Sequence, residues 1–104
     1  MIQLLKNIFG AGQKANLKEL VNNGAQIIDV RSNAEYKGGH VHGSINIPLP
    51  NLSGNLSRIK KNKPVITCCA SGMRSASAKN ILKSHGFTEV YNGGGWMSLQ
   101  NEIS

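Results

Sequence analysis

Pro64-Val65-Ile66-Thr67-Cys68, then Cys69, then Ala70-Ser71-Gly72-Met73, then Arg74 to His85: this stretch decides the fold. Its first five residues form a short β-branched run, which reads as a strand. Past a loop of small residues, Ala78, Ile81 and Leu82 fall on one face of a helix that Gly86 and Phe87 close. A strand therefore runs into a helix through a tight turn, and the turn carries Cys69. At such a join several backbone N–H groups have no partner within the helix and point toward the turn.

The flanking segments repeat the alternation. Upstream, Asn16 with Glu19 has the spacing of a capping box, Leu17, Leu20 and Val21 make an apolar stripe, and Gly24 supplies a left-handed stop, so a short helix is expected. Gln26-Ile27-Ile28-Asp29-Val30 reads as a strand, and Ser32 with Glu35 as a second capping pair that opens a helix. Ser44-Ile45-Asn46-Ile47 alternates with period two until Pro48 and Pro50, which cannot donate to a sheet ladder. Leu52, Leu56 and Ile59 suggest a helical turn or two before the chain returns to the Cys69 strand. Downstream, Glu89-Val90-Tyr91 reads as a last short strand, Gly93-Gly94-Gly95 as a flexible turn and Trp96 to Asn101 as a terminal helical turn. Strands separated by helices imply an α/β fold, a mainly parallel sheet with helices on both faces and binding beyond the strands' carboxyl ends. Gly10 to Gly12 reads as a hinge between a loose N-terminal segment, residues 1–12, and a domain over residues 13–104.

Composition bounds the function classes. With 104 residues, 39% hydrophobic and 16% charged, the chain suits one ordinary core and is too apolar for intrinsic disorder. It lacks the long uncharged run of a membrane span, and Met1 to Phe9 is too short an apolar run for a signal peptide. Twelve Lys and Arg against five Asp and Glu give a net charge of +7, which attracts anions without choosing among them. Arg58, Lys60, Lys61 and Lys63 cluster without interleaved aromatics, so nucleic-acid binding is not expected and a solvated loop is. Cys68 and Cys69 are adjacent and point to opposite faces of a strand, so they cannot staple distant segments. A cytoplasmic setting is expected.

Cys69 is the residue with chemistry. A helix N-terminus and a nearby cation lower a cysteine pKa from about 8.5 into roughly 3.5–7.5, and Arg74 supplies the cation. Ala70, Ser71, Gly72 and Met73 would curl around the sulfur, with Gly72 allowing backbone angles that other residues resist, so that their amides form an anion cradle. Cys68, one position earlier, reads as a small buried hydrophobe. His40 and His42 alternate as metal ligands do but lack a third partner, so no metal is expected. His85 reads as complementing a helix dipole. The Cys-x-x-x-x-Arg spacing by itself leaves two chemistries open, thiol phosphatase and sulfur transfer.

Three separated stretches then resemble one family, the rhodanese domain. Ile27-Ile28-Asp29-Val30-Arg31 with Glu35-Tyr36 is similar to its Asp-Val-Arg signature, Gly39-His40-Val41-His42-Gly43-Ser44-Ile45-Asn46-Ile47-Pro48 to its Gly-His-x-x-Gly-Ala-x-Asn-Ile-Pro segment, and Cys69-Ala70-Ser71-Gly72-Met73-Arg74-Ser75 to its catalytic loop. Gly94-Gly95-Trp96 resembles its closing turn, and the likeness spans roughly Leu17 to Leu99. The resemblance implies a single-domain sulfurtransferase in which Cys69 takes the outer sulfur of a donor such as thiosulfate as a persulfide and passes it to cyanide or a thiol. It implies substrate contacts from Ala70, Ser71, Gly72, Met73 and Arg74, with Arg31 near the site, and structural roles for Asp29, Glu35 and His40. It calls for no cofactor, and a monomer is expected. Related phosphatases carry one more residue between cysteine and arginine, and the smaller ring here favours sulfur. Ala70 stands where many members have a charged or larger polar residue, which leaves the donor open. The other readings are a non-catalytic binding module of the same fold and, further off, the phosphatase.

Overall fold

The computed structural model describes residues 15–104; the expected loose segment 1–12 and its glycine hinge lie outside them. Helix α1 (Leu17–Asn22) opens where the Asn16 side chain accepts from Glu19 N–H at 3.0 Å. Strand β1 (Gln26–Asp29) leads to helix α2 (Asn33–Lys37), whose start is a complete capping box: Ser32 Oγ accepts from Glu35 N–H, and the Glu35 carboxylate accepts from Ser32 N–H. The short strand β2 (Ile45–Asn46) is followed by 3₁₀ turns at Leu49–Asn51 and Ser53–Arg58. Strand β3 (Val65–Cys69), helix α3 (Met73–Ser84), strand β4 (Val90–Gly95) and helix α4 (Trp96–Ile103) complete the described chain.

The sheet has the order β2-β1-β3-β4, and every neighbouring pair is parallel, as the alternation of strands and helices requires. Strand β3 is central and buried along its whole length, and its side chains alternate between the two faces. Val65 and Cys69 join one core with Ile28, Leu52, Ala78 and Leu82. Ile66 and Cys68 join the other with Leu17, Val41 and Leu99. Helix α3 therefore covers one face, and α1 with α4 the other. Burying each large aliphatic side chain contributes about 1.5–3 kcal/mol, and the sheet is thereby fixed as the platform on which the loop after β3 stands.

One expectation is corrected. Gly93-Gly94-Gly95 is not a flexible turn but the last half of β4, with Gly95 in register with Cys69. The reason is space. A Cβ on Gly93 would stand 2.8 Å from Ile66 Cγ2 and 2.9 Å from Thr67 O, and one on Gly95 would stand 2.9 Å from Ala70 O. Glycine is the only residue that lets this edge strand press against both the central strand and the loop.

Candidate active site

Cys69 is the last residue of β3, and Gly72, at φ +108°, turns the chain at once into α3. That left-handed angle is strained for any residue with a Cβ, and it aims the loop amides back at the sulfur. Gly72 N–H donates to Cys69 Sγ at 3.0 Å and Ser75 N–H at 3.4 Å. The Ser75 hydroxyl lies 3.5 Å from Sγ. Ala70, Ser71 and Met73 are exposed around this bowl, Met73 by 80%. Cys69 itself is only 1% exposed, so the sulfur sits at the floor of the loop with donors above it and the α3-side core below.

Two influences compete at that sulfur. Burial pushes the Cys69 thiol up; the hydroxyl of Ser75 and the amides of Ser75, Gly72 and Ser71 pull it down and prevail, so it lies below its ordinary value. Cys68 has no such donors. Burial, with the nearby Asp29 carboxylate adding to it against Arg31, pushes its thiol up to about 12. Both cysteines are free.

The two arginines have different surroundings. Arg74, in the first turn of α3, makes a two-pronged pair with Glu35, Nη1 to Oε1 at 2.7 Å and Nη2 to Oε2 at 3.0 Å, with both side chains partly open to solvent. Arg31 is buried. Its Nε and Nη2 donate to Asp29, Nη2 also to Gly39 O at 2.7 Å and Nη1 to Glu35 O at 3.3 Å, while Trp96 lies 4.9 Å from the guanidinium. Arg31, expected near the site, has scaffold partners on nearly every N–H. Asp29 Oδ1 in addition accepts from Arg31 N–H. His40 stacks on Tyr36 at 3.7 Å, with Nδ1 2.7 Å from Tyr36 O. His42 N–H donates to Gln100, and His85 Nδ1 lies 2.9 Å from Ile81 O at the end of α3. Among the described residues no group of three or more His, Cys, Asp or Glu is placed to hold a metal, and no helix is long and apolar enough to cross a membrane.

A buried thiol under converging amides, at the end of a central parallel strand, is the arrangement that the three sequence stretches resemble. The model of the rhodanese-like domain family matches residues 13–102. This chain belongs to the rhodanese-like domain family. Among curated relatives, YqhL of Bacillus subtilis is 44% identical over 65% of this chain and 54% of its own length. Thiosulfate sulfurtransferase PspE of Escherichia coli is 41% identical over 65% of this chain and 67% of its own. The chain thus spans about half the length of the first and two thirds of the second. A solved structure described as a rhodanese with anions from E. coli superposes with a TM-score of 0.68 at 38% identity, covering 72% of this chain and 91% of that one. Rhodanese-like domain and sulfurtransferase relatives are established for this chain on these grounds.

Sequence reading passed over two residues of this neighbourhood. Ser75 entered only as the end of a motif, yet its hydroxyl is buried beside the sulfur. Asn92 went unremarked, although its side chain reaches Ser75 at 2.6 Å from the neighbouring strand. A signal existed for Asn92: a polar residue between the expected strand Glu89-Val90-Tyr91 and three glycines.

Proposed function

We propose that the chain is a sulfurtransferase whose Cys69 carries the transferred sulfur. The observation that supports this most directly is the sulfur's position under the Gly72 and Ser75 amides. A thiolate there needs no histidine base, because the amides already favour the anion. In the first half-reaction the Cys69 thiolate attacks the outer sulfur of a donor such as thiosulfate. A new S–S bond forms, the donor's S–S bond breaks, and sulfite leaves with the electron pair. In the second, an acceptor such as cyanide or a thiolate attacks the terminal sulfur, and the Cys69 thiolate leaves with the pair. The loop from Ala70 to Met73 would receive the anionic terminal sulfur on its amides. Arg74 would attract the donor's charge while held at the rim by Glu35, and Arg31, Asp29 and His40 serve the scaffold. That a relative is named thiosulfate sulfurtransferase and a solved rhodanese is described as with anions is consistent with such a cradle. Free, adjacent cysteines suit a reducing compartment such as the cytoplasm.

Intact-mass measurement after incubation with thiosulfate tests the proposal. The expected result is a gain of one sulfur atom on the native chain, retained in Cys68→Ser and lost in Cys69→Ser, with thiocyanate released when cyanide is added. No adduct from any sulfane donor would favour the non-catalytic module, and vanadate-sensitive phosphate release dependent on Cys69 would favour the phosphatase.

A further inference from the structure

The Ser75 hydroxyl has one proton and three neighbours that can take it. Asn92 Oδ1 lies at 2.6 Å, Gly72 O at 3.0 Å and Cys69 Sγ at 3.5 Å. With Cys69 as a thiol, S–H donates to Ser75 Oγ, and the hydroxyl proton goes to Asn92, its shortest contact. Once the thiol has lost its proton to solvent, the hydroxyl can turn and donate to the anionic sulfur. Such a turn is ordinarily opposed by the desolvation of each buried group it orphans. Here it orphans none. Asn92 Oδ1 still accepts from Gly94 N–H at 2.9 Å, a contact that also fixes which end of the amide is oxygen. Gly72 O still accepts from Asn92 Nδ2 at 3.2 Å and from Ala76 N–H at 3.1 Å. The pivot is also held in place. Thr67 Oγ1 donates to Ser75 O at 2.8 Å, and Thr67 is the register partner of Asn92 across β3 and β4.

We infer that Asn92 is a positioning residue for the Cys69 sulfur, acting through the Ser75 hydroxyl, which it holds in the resting state and yields, leaving no buried group unpaired, when the sulfur becomes an anion. This deepens the sulfur-transfer reading, on which its catalytic meaning rests. The charged groups bearing on this pair of cysteines are Arg74 from α3 at Cys69, and at Cys68 Asp29, the last residue of β1, and Arg31 just beyond it; a change at position 92 alters none of them. Asn92 is exposed outside its amide contacts, so substitutions there are compatible with folding.

The experiment is the pH dependence of Cys69 alkylation by iodoacetamide, in which the thiolate forms an S–C bond and iodide leaves. Asn92→Asp keeps the shape but grips the hydroxyl proton with a carboxylate. The midpoint is expected to rise by about one pH unit, slowing alkylation at low pH roughly tenfold. In a Ser75→Ala background the same substitution is expected to move the midpoint far less. Asn92→Ala removes the competing acceptor and is expected to shift the midpoint the opposite way, again only with Ser75 present. Equal shifts with and without Ser75 would mean that Asp acts through space, and shifts of one sign for both variants would mean general loosening; either overturns the inference. Alkylation needs no sulfur donor, so the two readings fail separately. An Asn92-dependent midpoint in a chain that takes up no sulfane sulfur overturns transfer alone, and sulfur uptake with a midpoint indifferent to Asn92 overturns this role alone.

Discussion

Cys68 and Cys69 are covalent neighbours on one strand, both almost wholly buried, and they have opposite chemical characters. Cys68 faces Leu17, Val41 and Leu99, and burial pushes its thiol up to about 12. Cys69 faces the start of α3, where amides and a hydroxyl outweigh burial and bring its thiol below the ordinary value. Burial alone therefore does not decide whether a cysteine is inert. What decides is whether hydrogen-bond donors replace the water that burial removes. The pleat of β3 assigns those donors to one residue and denies them to the other.

The largest test of that contrast is sulfur uptake itself. Cys69→Ser is expected to bring thiosulfate-dependent sulfur loading to background, while Cys68→Ser retains it at a stability cost of about 1–3 kcal/mol for a hydroxyl placed among apolar side chains; mass spectrometry and thermal unfolding read the two effects. Loading that survives in Cys69→Ser and vanishes in Cys68→Ser would reverse the assignment.

The next effect is selectivity under alkylation. With the Cys68 thiol pushed up to about 12 and the Cys69 thiol drawn below its ordinary value, the thiolate at neutral pH lies overwhelmingly at Cys69. Iodoacetamide at pH 7 should therefore label Cys69 alone in the folded chain, with Cys68 labelled only after denaturation. Peptide mapping checks this, and comparable labelling of both residues in the native chain would dissolve the contrast.

A smaller effect follows from the loop's backbone. Gly72→Ala forces a Cβ into a φ of +108° and toward Gly94 Cα at 3.4 Å. The strain, about 1–2 kcal/mol, is expected to open the cradle, slow sulfur loading by roughly tenfold and raise the alkylation midpoint of Cys69 while leaving Cys68 unlabelled. An unchanged midpoint would mean that Gly72 N–H contributes nothing to the anion.

Much of this was legible in the sequence, and the reason is local. Strand, turn and helix around Cys69 follow from hydrophobic period, small loop residues and a closing glycine, all within a few turns of chain. The opposite facing of Cys68 and Cys69 follows from the alternation of a strand. What escaped depends on long-range geometry. Gly93 to Gly95 carry the composition of a turn, and only the closeness of Ile66, Thr67 and Ala70 makes them a strand. The pairing of Arg74 with Glu35 joins residues on different helices, so no spacing rule reveals that the cation beside the cradle already has an anion. Asn92 approaches Ser75 only because β4 lies in register with β3.

That pairing supplies the subtlest test. Glu35 accepts from Arg74 and from the Ser32 hydroxyl and amide, and Arg74 foremost, then Ser32, holds its carboxyl at about 2. Because the folded value lies below the unfolded one of about 4.3, the pair's contribution is complete above about 4.3 and is lost as pH falls toward about 2. Glu35→Gln preserves the capping box, since a glutamine oxygen accepts from Ser32 as well, but presents no charge to Arg74. Stability at pH 7 is expected to change little for a pair open to solvent, and the decline in stability between about pH 4 and 2, followed by thermal unfolding, is expected to flatten. Arg74 and the Cys69 sulfur also feel each other's charge. An Arg74 freed from Glu35 should lower the Cys69 alkylation midpoint by about a few tenths of a pH unit and leave Cys68 untouched. A midpoint that rises instead would mean that Glu35 does not shield the sulfur from Arg74 but holds the cation close to it, making the ion pair part of the cradle's support.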